Sequence, residues 1–337
     1  MKEIKKRNYL LDNLKVVLIF FVVFGHVIEY YIKDNSILRI VYVFIYIFHM
    51  PLFIFISGYF SKNFYRMKRK AIRNLLIPYI TFNMIWYTAV YIGTKENMFS
   101  LLLPGWTLWY LLSLFFWRIF LKYIVKFKHM LAFSFFIGIL IGLVPSVGSI
   151  LSISRTIVFL PFFLLGYYAN EKHLIKIKRL NKTLSIIGIL IFLFFAIYIV
   201  KMNLFDYKFL YYSYSFSALG VSLLNGVIFR LILYISSIIF GICVISIVPD
   251  RKQSYSSLGK ATMNIYVFHI YLVMLVYFFI PKWNIGTLQN ILILLSPFLI
   301  TYILSRKKVN KVYDGIFYPI NVSIDTGKKS YKKYKNK

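Results

Sequence analysis

Cysteine is almost missing from this 337-residue chain, with Cys243 its sole instance. One cysteine excludes an intrachain disulfide and any zinc site built on thiolates, so it assigns no redox compartment. Acidic residues are scarce too, ten Asp and Glu against 41 Lys and Arg, and charged residues of both signs make up only 15% of the chain. A net charge of +31 in a soluble domain would suggest nucleic-acid binding. Here the basic residues fall in short stretches between long apolar runs, which reads as membrane orientation and attraction to anionic lipid, not nucleic acid. No internal repeat and no Pro/Ser linker interrupts the pattern. What remains is 60% hydrophobic and 20% aromatic, with a mean hydropathy of +0.72, against roughly 45–50% apolar residues in ordinary soluble domains. The composition is that of an all-α, polytopic membrane protein.

At about 20 residues per crossing, the pattern predicts some ten spans, near 12–31, 40–60, 74–93, 104–121, 130–147, 154–170, 183–200, 228–249, 261–281 and 288–305. The first lacks a small-residue cleavage site and reads as a retained span. Residues 201–227 leave an extra crossing open, since "FSALGVSLLNGVIF" is apolar but diluted by Ser, Gly and Asn. Alternate loops and the termini hold 31 Lys and Arg against 6 in the opposite loops. That imbalance predicts cytoplasmic termini and basic loops. The chain divides into one transmembrane domain, residues 1–305, and a basic cytoplasmic tail, 306–337, whose end "KKSYKKYKNK" has the like-charge composition of a disordered or lipid-bound segment.

The informative residues are those a bilayer disfavours. His26 and Glu29 lie in "VVFGHVIE" within the first run. At i and i+3 they share a helix face, and a carboxylate beside an imidazole is a common way to hold a general base. A structural hydrogen bond between helices is the plain alternative. His49 in "YIFHMPLFIFISGYF" and His269 in "MNIYVFHIYLVM" also lie in spans. Neither H-x-x-H nor H-E-x-x-H spacing occurs, so no metal site is expected. Arg155, at the outer end of the sixth span, sits where topology does not ask for a positive charge. It suits an anionic or carbonyl group, or snorkels to headgroups. Arg66, Arg69, Lys70 and Arg73, between the second and third spans, serve either as a positive-inside anchor or as a phosphate-binding patch. Trp106, Trp109 and Tyr110 in "PGWTLWYLLSL" read either as an interfacial aromatic belt or as a surface for stacking on a sugar.

Taken in order, "YLLDNLK" with "VVFGHVIE", "FHMPLFIFISGYF", the basic loop before "RNLLIPY", "LWYLLSLFFW", "SRTIVFLPFFLLGYY" and "SLGKATMNIYVFHIYLV" resemble the acyltransferase-3 superfamily, in particular its fucose 4-O-acetylase-like branch. The resemblance implies a ten-helix bacterial cell-membrane enzyme that moves an acetyl group from acetyl-CoA to a hydroxyl of a cell-surface polysaccharide or a lipid-linked precursor. It also implies surface-glycan assembly machinery as a partner. His26 matches the family's first-span histidine, regarded as catalytic, with Glu29 and Arg155 as its expected helpers. The arginines after the second span match the basic loop, in two possible registers, Arg66-x-x-Arg69 and Lys70-x-x-Arg73. His49, Trp106, Trp109, Tyr110 and His269 are then candidates for the acceptor site. The alternative from another class is a transporter or flippase for a lipid-linked sugar, with His26, Glu29 and Arg155 as a midplane site; an inert assembly partner is a third.

Overall fold

The computed structural model describes residues 7–145, 148, 150–280 and 287–319. Among these no strand occurs, and the chain is all-α. Its helices are α1 (Tyr9–Ile28), α2 (Ser36–Tyr59), α3 (Phe64–Ala71), α4 (Ile77–Thr94), α5 (Trp109–Ile124), α6 (Met130–Leu140), α7 (Ile153–Tyr168), α8 (Glu171–Lys178), α9 (Lys182–Lys201), α10 (Leu223–Ile247), α11 (Thr262–Phe279) and α12 (Thr287–Leu304). A further helix, α13 (Lys307–Pro319), follows α12 across a 62° bend. Asparagine marks many of the starts. Asn8, Asn35, Asn63, Asn170 and Asn181 each accept a backbone N–H of the first turn, and Ser222 does so for α10. Each cap satisfies donors that the helix itself leaves unpaired.

Among the described residues seven helices are long and apolar enough to cross a membrane, or eight if α12 and α13 form one bent span. The expected count of about ten included two segments that fold as shorter helices. Residues 104–108 are irregular and α5 starts only at Trp109, so this helix has 16 residues and also carries Arg118 and Lys122. The run predicted at 130–147 is helical through Leu140 and then tightens into a short 3-10 turn at Ile141–Leu143. Two further boundaries move. Residues 61–73, read as a loop, contain helix α3, which passes through a π-helical stretch, Ile72–Leu76, directly into α4. The stretch 201–222 makes no crossing; it holds two 3-10 turns, Tyr207–Tyr211 and Ser217–Leu219, before α10 begins at Leu223.

Helices α1 and α2 are the most enclosed of the long helices, while α9 is largely exposed. The tightest crossing is between α2 and α7. A Cβ on Gly58 would collide with the carbonyl oxygen of Phe163, and a Cβ on Gly166 with that of Phe55. Without a side chain at either position the two backbones touch, as small residues allow in membrane helix pairs. One end of the bundle is tied by polar contacts. Buried Asn13 donates to the carbonyls of Pro249 (2.8 Å) and Arg251 (3.0 Å) and accepts from the Ser256 hydroxyl (2.6 Å). Lys15 stacks over Phe60, so the start of α1, the end of α2 and residues 249–256 share that end. Tyr313 and Phe317 of α13 pack against Phe82 of α4, and Asn264 of α11 donates to Asn310. The segment "KKSYKKYKNK" lies outside the described residues.

Candidate active site

Fourteen helical positions beyond Asp12, about 21 Å along α1, His26 opens onto a cavity of about 620 Å³. Its Nδ1 lies 2.9 Å from Glu29 Oε2. A carboxylate only accepts, so the imidazole donates from Nδ1, and the Nε2 lone pair is left for the cavity that the ring lines. Glu29 is the C-cap of α1, where the helix ends and its side chain turns toward residues brought from elsewhere. The Tyr211 hydroxyl donates to Glu29 Oε1 at 2.6 Å, and the Tyr42 hydroxyl donates to Tyr211 at 3.1 Å. The result is a directed chain, Tyr42 to Tyr211 to Glu29, with His26 donating to the same carboxylate. Donors on both oxygens hold the carboxylate in place and fix the imidazole plane. Tyr277 adds a hydroxyl contact to the His26 backbone carbonyl.

The other walls come from distant segments. Trp106 stands edge-on to the His26 ring, with centroids 5.4 Å apart. Trp109 stacks on Phe159 at 5.2 Å and lies under the guanidinium of Arg155, also at 5.2 Å. Both tryptophans line the cavity. They turn inward because residues 95–108 fold back along α4. Tyr79 donates to Leu101 O (2.8 Å), and Asn83 donates to Ser100 O (2.9 Å) while accepting from Gly105 N (2.7 Å). Tyr110 does not line the cavity; it is buried behind it, with its hydroxyl 2.6 Å from Ser57 Oγ.

Arg155 is part of the wall, not a headgroup anchor. Its Nε donates to the Tyr211 carbonyl at 2.9 Å, and an Nη donates to Ser213 at 3.3 Å. The contacts hold a permanent cation beside the His26–Glu29 pair without neutralising it. His49, also in the wall, donates from Nδ1 to Ile45 O at 2.8 Å. His269 is buried next to His26, ring centroids 5.4 Å apart, and its Nδ1 donates to Tyr266 O at 2.7 Å. Its Nε2 has no hydrogen-bond partner. The backbone carbonyls thus fix both rings as Nδ1–H tautomers when neutral.

The basic residues lie elsewhere. Arg66, Arg69 and Lys70 are exposed on α3, at the Asp12 end of the bundle, where i, i+3, i+4 spacing puts them on one helix face. Arg73 is half-buried in the π-helical stretch that follows. None of the four lines the cavity. Among the described residues no three His, Cys, Asp or Glu side chains gather into a metal-binding group.

Sequence reasoning missed Tyr211, Tyr42, Tyr46, Thr107 and Tyr266 as neighbours of the pair. With 29 tyrosines in the chain, one more in a loop carries no contrast. Compared with known proteins, the chain matches the family model described as "Acyltransferase domain", of the acyltransferase-3 type, over residues 8–306. No curated protein and no solved structure shows significant similarity to it.

Proposed function

The chain belongs to the acyltransferase-3 superfamily and is a multi-pass membrane acyltransferase, and from that premise we propose that it transfers an acetyl group from acetyl-CoA to a hydroxyl of a cell-surface glycan or its lipid-linked precursor. The observation that carries this reading is the His26 Nδ1–Glu29 contact of 2.9 Å inside a cavity walled by two tryptophans and an arginine. In this scheme Nε2 of His26 takes the proton of the acceptor hydroxyl as its oxygen bonds to the thioester carbonyl carbon. Arg155 faces the charge that develops on the carbonyl oxygen, the placement that makes electrostatic stabilisation effective in a site shielded from water. When the tetrahedral adduct collapses, its C–S bond breaks and the proton on His26 passes to the leaving sulfur. Glu29 keeps the ring in the required tautomer throughout, and Trp106 and Trp109 offer flat apolar faces to a sugar ring.

The basic face of α3 supports the donor half of the reading. Arg66, Arg69 and Lys70 present guanidinium and ammonium groups suited to phosphates at the end of the bundle opposite the cavity. An extended pantetheine arm suits the depth of about 21 Å that separates this end from His26. Replacing Arg69 by Ala is expected to raise the apparent KM for acetyl-CoA about ten-fold with protein amount unchanged. A proportional loss of protein and activity would reduce α3 to a topological anchor.

The reading is tested by incubating isolated membranes, with and without the protein, with radiolabelled acetyl-CoA and following label into glycan. Label that is independent of the protein would sink it.

A further inference from the structure

A second cavity, of about 730 Å³, lies on the lysine-poor side of the bundle, lined by Lys33, Arg39, Asn203, Asp206, Tyr207 and Lys208 among others. Few Lys and Arg lie on that side, yet among the described residues Lys33, Arg39 and Lys208 converge here. Three cations against the one carboxylate of Asp206 leave the lining net positive, and none of the three forms an ion pair among the described residues. The Asp206 side chain is partly engaged, since it accepts the Lys208 backbone N–H at 2.8 Å. Arg39 is set in place by donating to the carbonyls of Ile32 (2.8 Å) and Lys33 (2.7 Å), which leaves its charge and its other N–H groups for a ligand.

This cavity adjoins the His26 site. The single 3-10 turn Tyr207–Tyr211 gives Tyr207 and Lys208 to one cavity and Leu210 and Tyr211 to the other. Arg39, Tyr42 and Tyr46 occupy one face of α2 at i, i+3 and i+7. That face descends about 10 Å from the cationic cavity to the wall of the His26 site.

We propose that the second cavity binds an anionic substituent, a phosphate or carboxylate, of the acceptor glycan, while a hydroxyl further along the same molecule reaches His26. The assignment of the bound molecule as acceptor rests on the acetyl-transfer reading; anion binding itself does not. Cations collected where topology disfavours them, with no carboxylate paired to any of the three among the described residues, form an anion site. Their charge selects a charged acceptor over a neutral one.

The test uses the full chain, purified into nanodiscs of zwitterionic phosphatidylcholine, and measures binding of glucose 6-phosphate, glucuronate and glucose. The two anions are expected to bind saturably and to weaken with added salt, while glucose does not. In a Lys33→Gln/Lys208→Gln double variant their Kd rises about ten-fold or more, and in His26→Ala it is unchanged. Equal affinity in the double variant, or no binding of either anion, overturns the proposal. So does the case in which only discs containing phosphatidylglycerol stabilise the wild type over the double variant, because the cavity then holds a lipid headgroup. Anion binding by a chain that incorporates no acetyl label would retain the site and remove the reaction, whereas acetyl transfer without anion binding would do the reverse.

Discussion

Two arginines grip the same short segment, residues 207–217, from opposite sides, and they differ in almost every other respect. Arg155 lines the cavity, donates to the Tyr211 carbonyl and to Ser213, and keeps its charge beside His26 and Glu29. Arg230, on α10, is 1% exposed. It sits in an aromatic cage, its guanidinium 5.2 Å from the Phe209 ring, 4.7 Å from Tyr212 and 5.3 Å from Phe216. Its nearest acceptor is Gly138 O at 3.5 Å, and its Nε has no partner. The switch between faces occurs at Tyr212, whose φ of 56° is left-handed, a costly conformation for a bulky residue. This twist sends Tyr211 to Glu29 and Tyr212 to Arg230, and Ser154 secures it by donating to Tyr212 O at 2.7 Å. The same residue type thus serves as a cavity-lining charge on one face and as a fully buried clamp caged by three rings on the other.

The largest effect that sharpens this contrast is expected on the cavity face, at His26. His26→Ala should leave normal amounts of protein in the membrane, because removing an ionisable group eases insertion. Acetyl transfer should nevertheless fall about 10² to 10⁴-fold. Near-normal glycan acetylation in such a strain would return the histidine to a packing role. Next comes Arg155→Gln, which removes the charge while retaining a donor; a loss of about 10² to 10³-fold in kcat is expected from a missing transition-state donor. If KM rose instead with kcat intact, Arg155 would bind the ground state only. For Tyr211→Phe, the loss of one hydrogen bond to a carboxylate predicts about a ten-fold fall in kcat/KM. A Tyr211→Phe enzyme as active as the parent would detach the segment from the chemistry.

The smallest catalytic change belongs to the caged face. Arg230→Ala should cost about 2–5 kcal/mol of stability, as large-to-small core replacements do, seen as a lower detergent-solubilised Tm and less protein. Activity per folded molecule should change only a few-fold. Arg230→Met, which fills the cage without a buried unpaired N–H, should recover most of the stability. Were Arg230→Met to fold well yet lose activity as steeply as Arg155→Gln, the two faces would not be separable.

Much of the site is visible in the sequence, and the reason is contrast. His26, Glu29 and Arg155 stand out because an apolar run makes every ionisable group conspicuous, and all three line one cavity. Tyr211 and Tyr42 have no such contrast in a chain that is 20% aromatic, and residues 201–222 offered no periodicity to mark a functional loop. The inward turn of Trp106 was equally hidden, since it depends on Asn83 capturing Ser100 O and Gly105 N.

Composition and charge alone determined an all-α chain built to span a membrane, because no soluble fold buries so much apolar surface. They also singled out the helical turn that pairs His26 with Glu29, since i, i+3 neighbours meet whatever surrounds them. Which helices reach spanning length was decided by folding: α5 and α6 are shortened by irregular backbone that no hydropathy average detects. Tertiary structure alone set the opposite orientations of Tyr211 and Tyr212 and the separate fates of Arg155 and Arg230. Those depend on a left-handed turn and on rings from distant segments, contacts with no period in the sequence to reveal them.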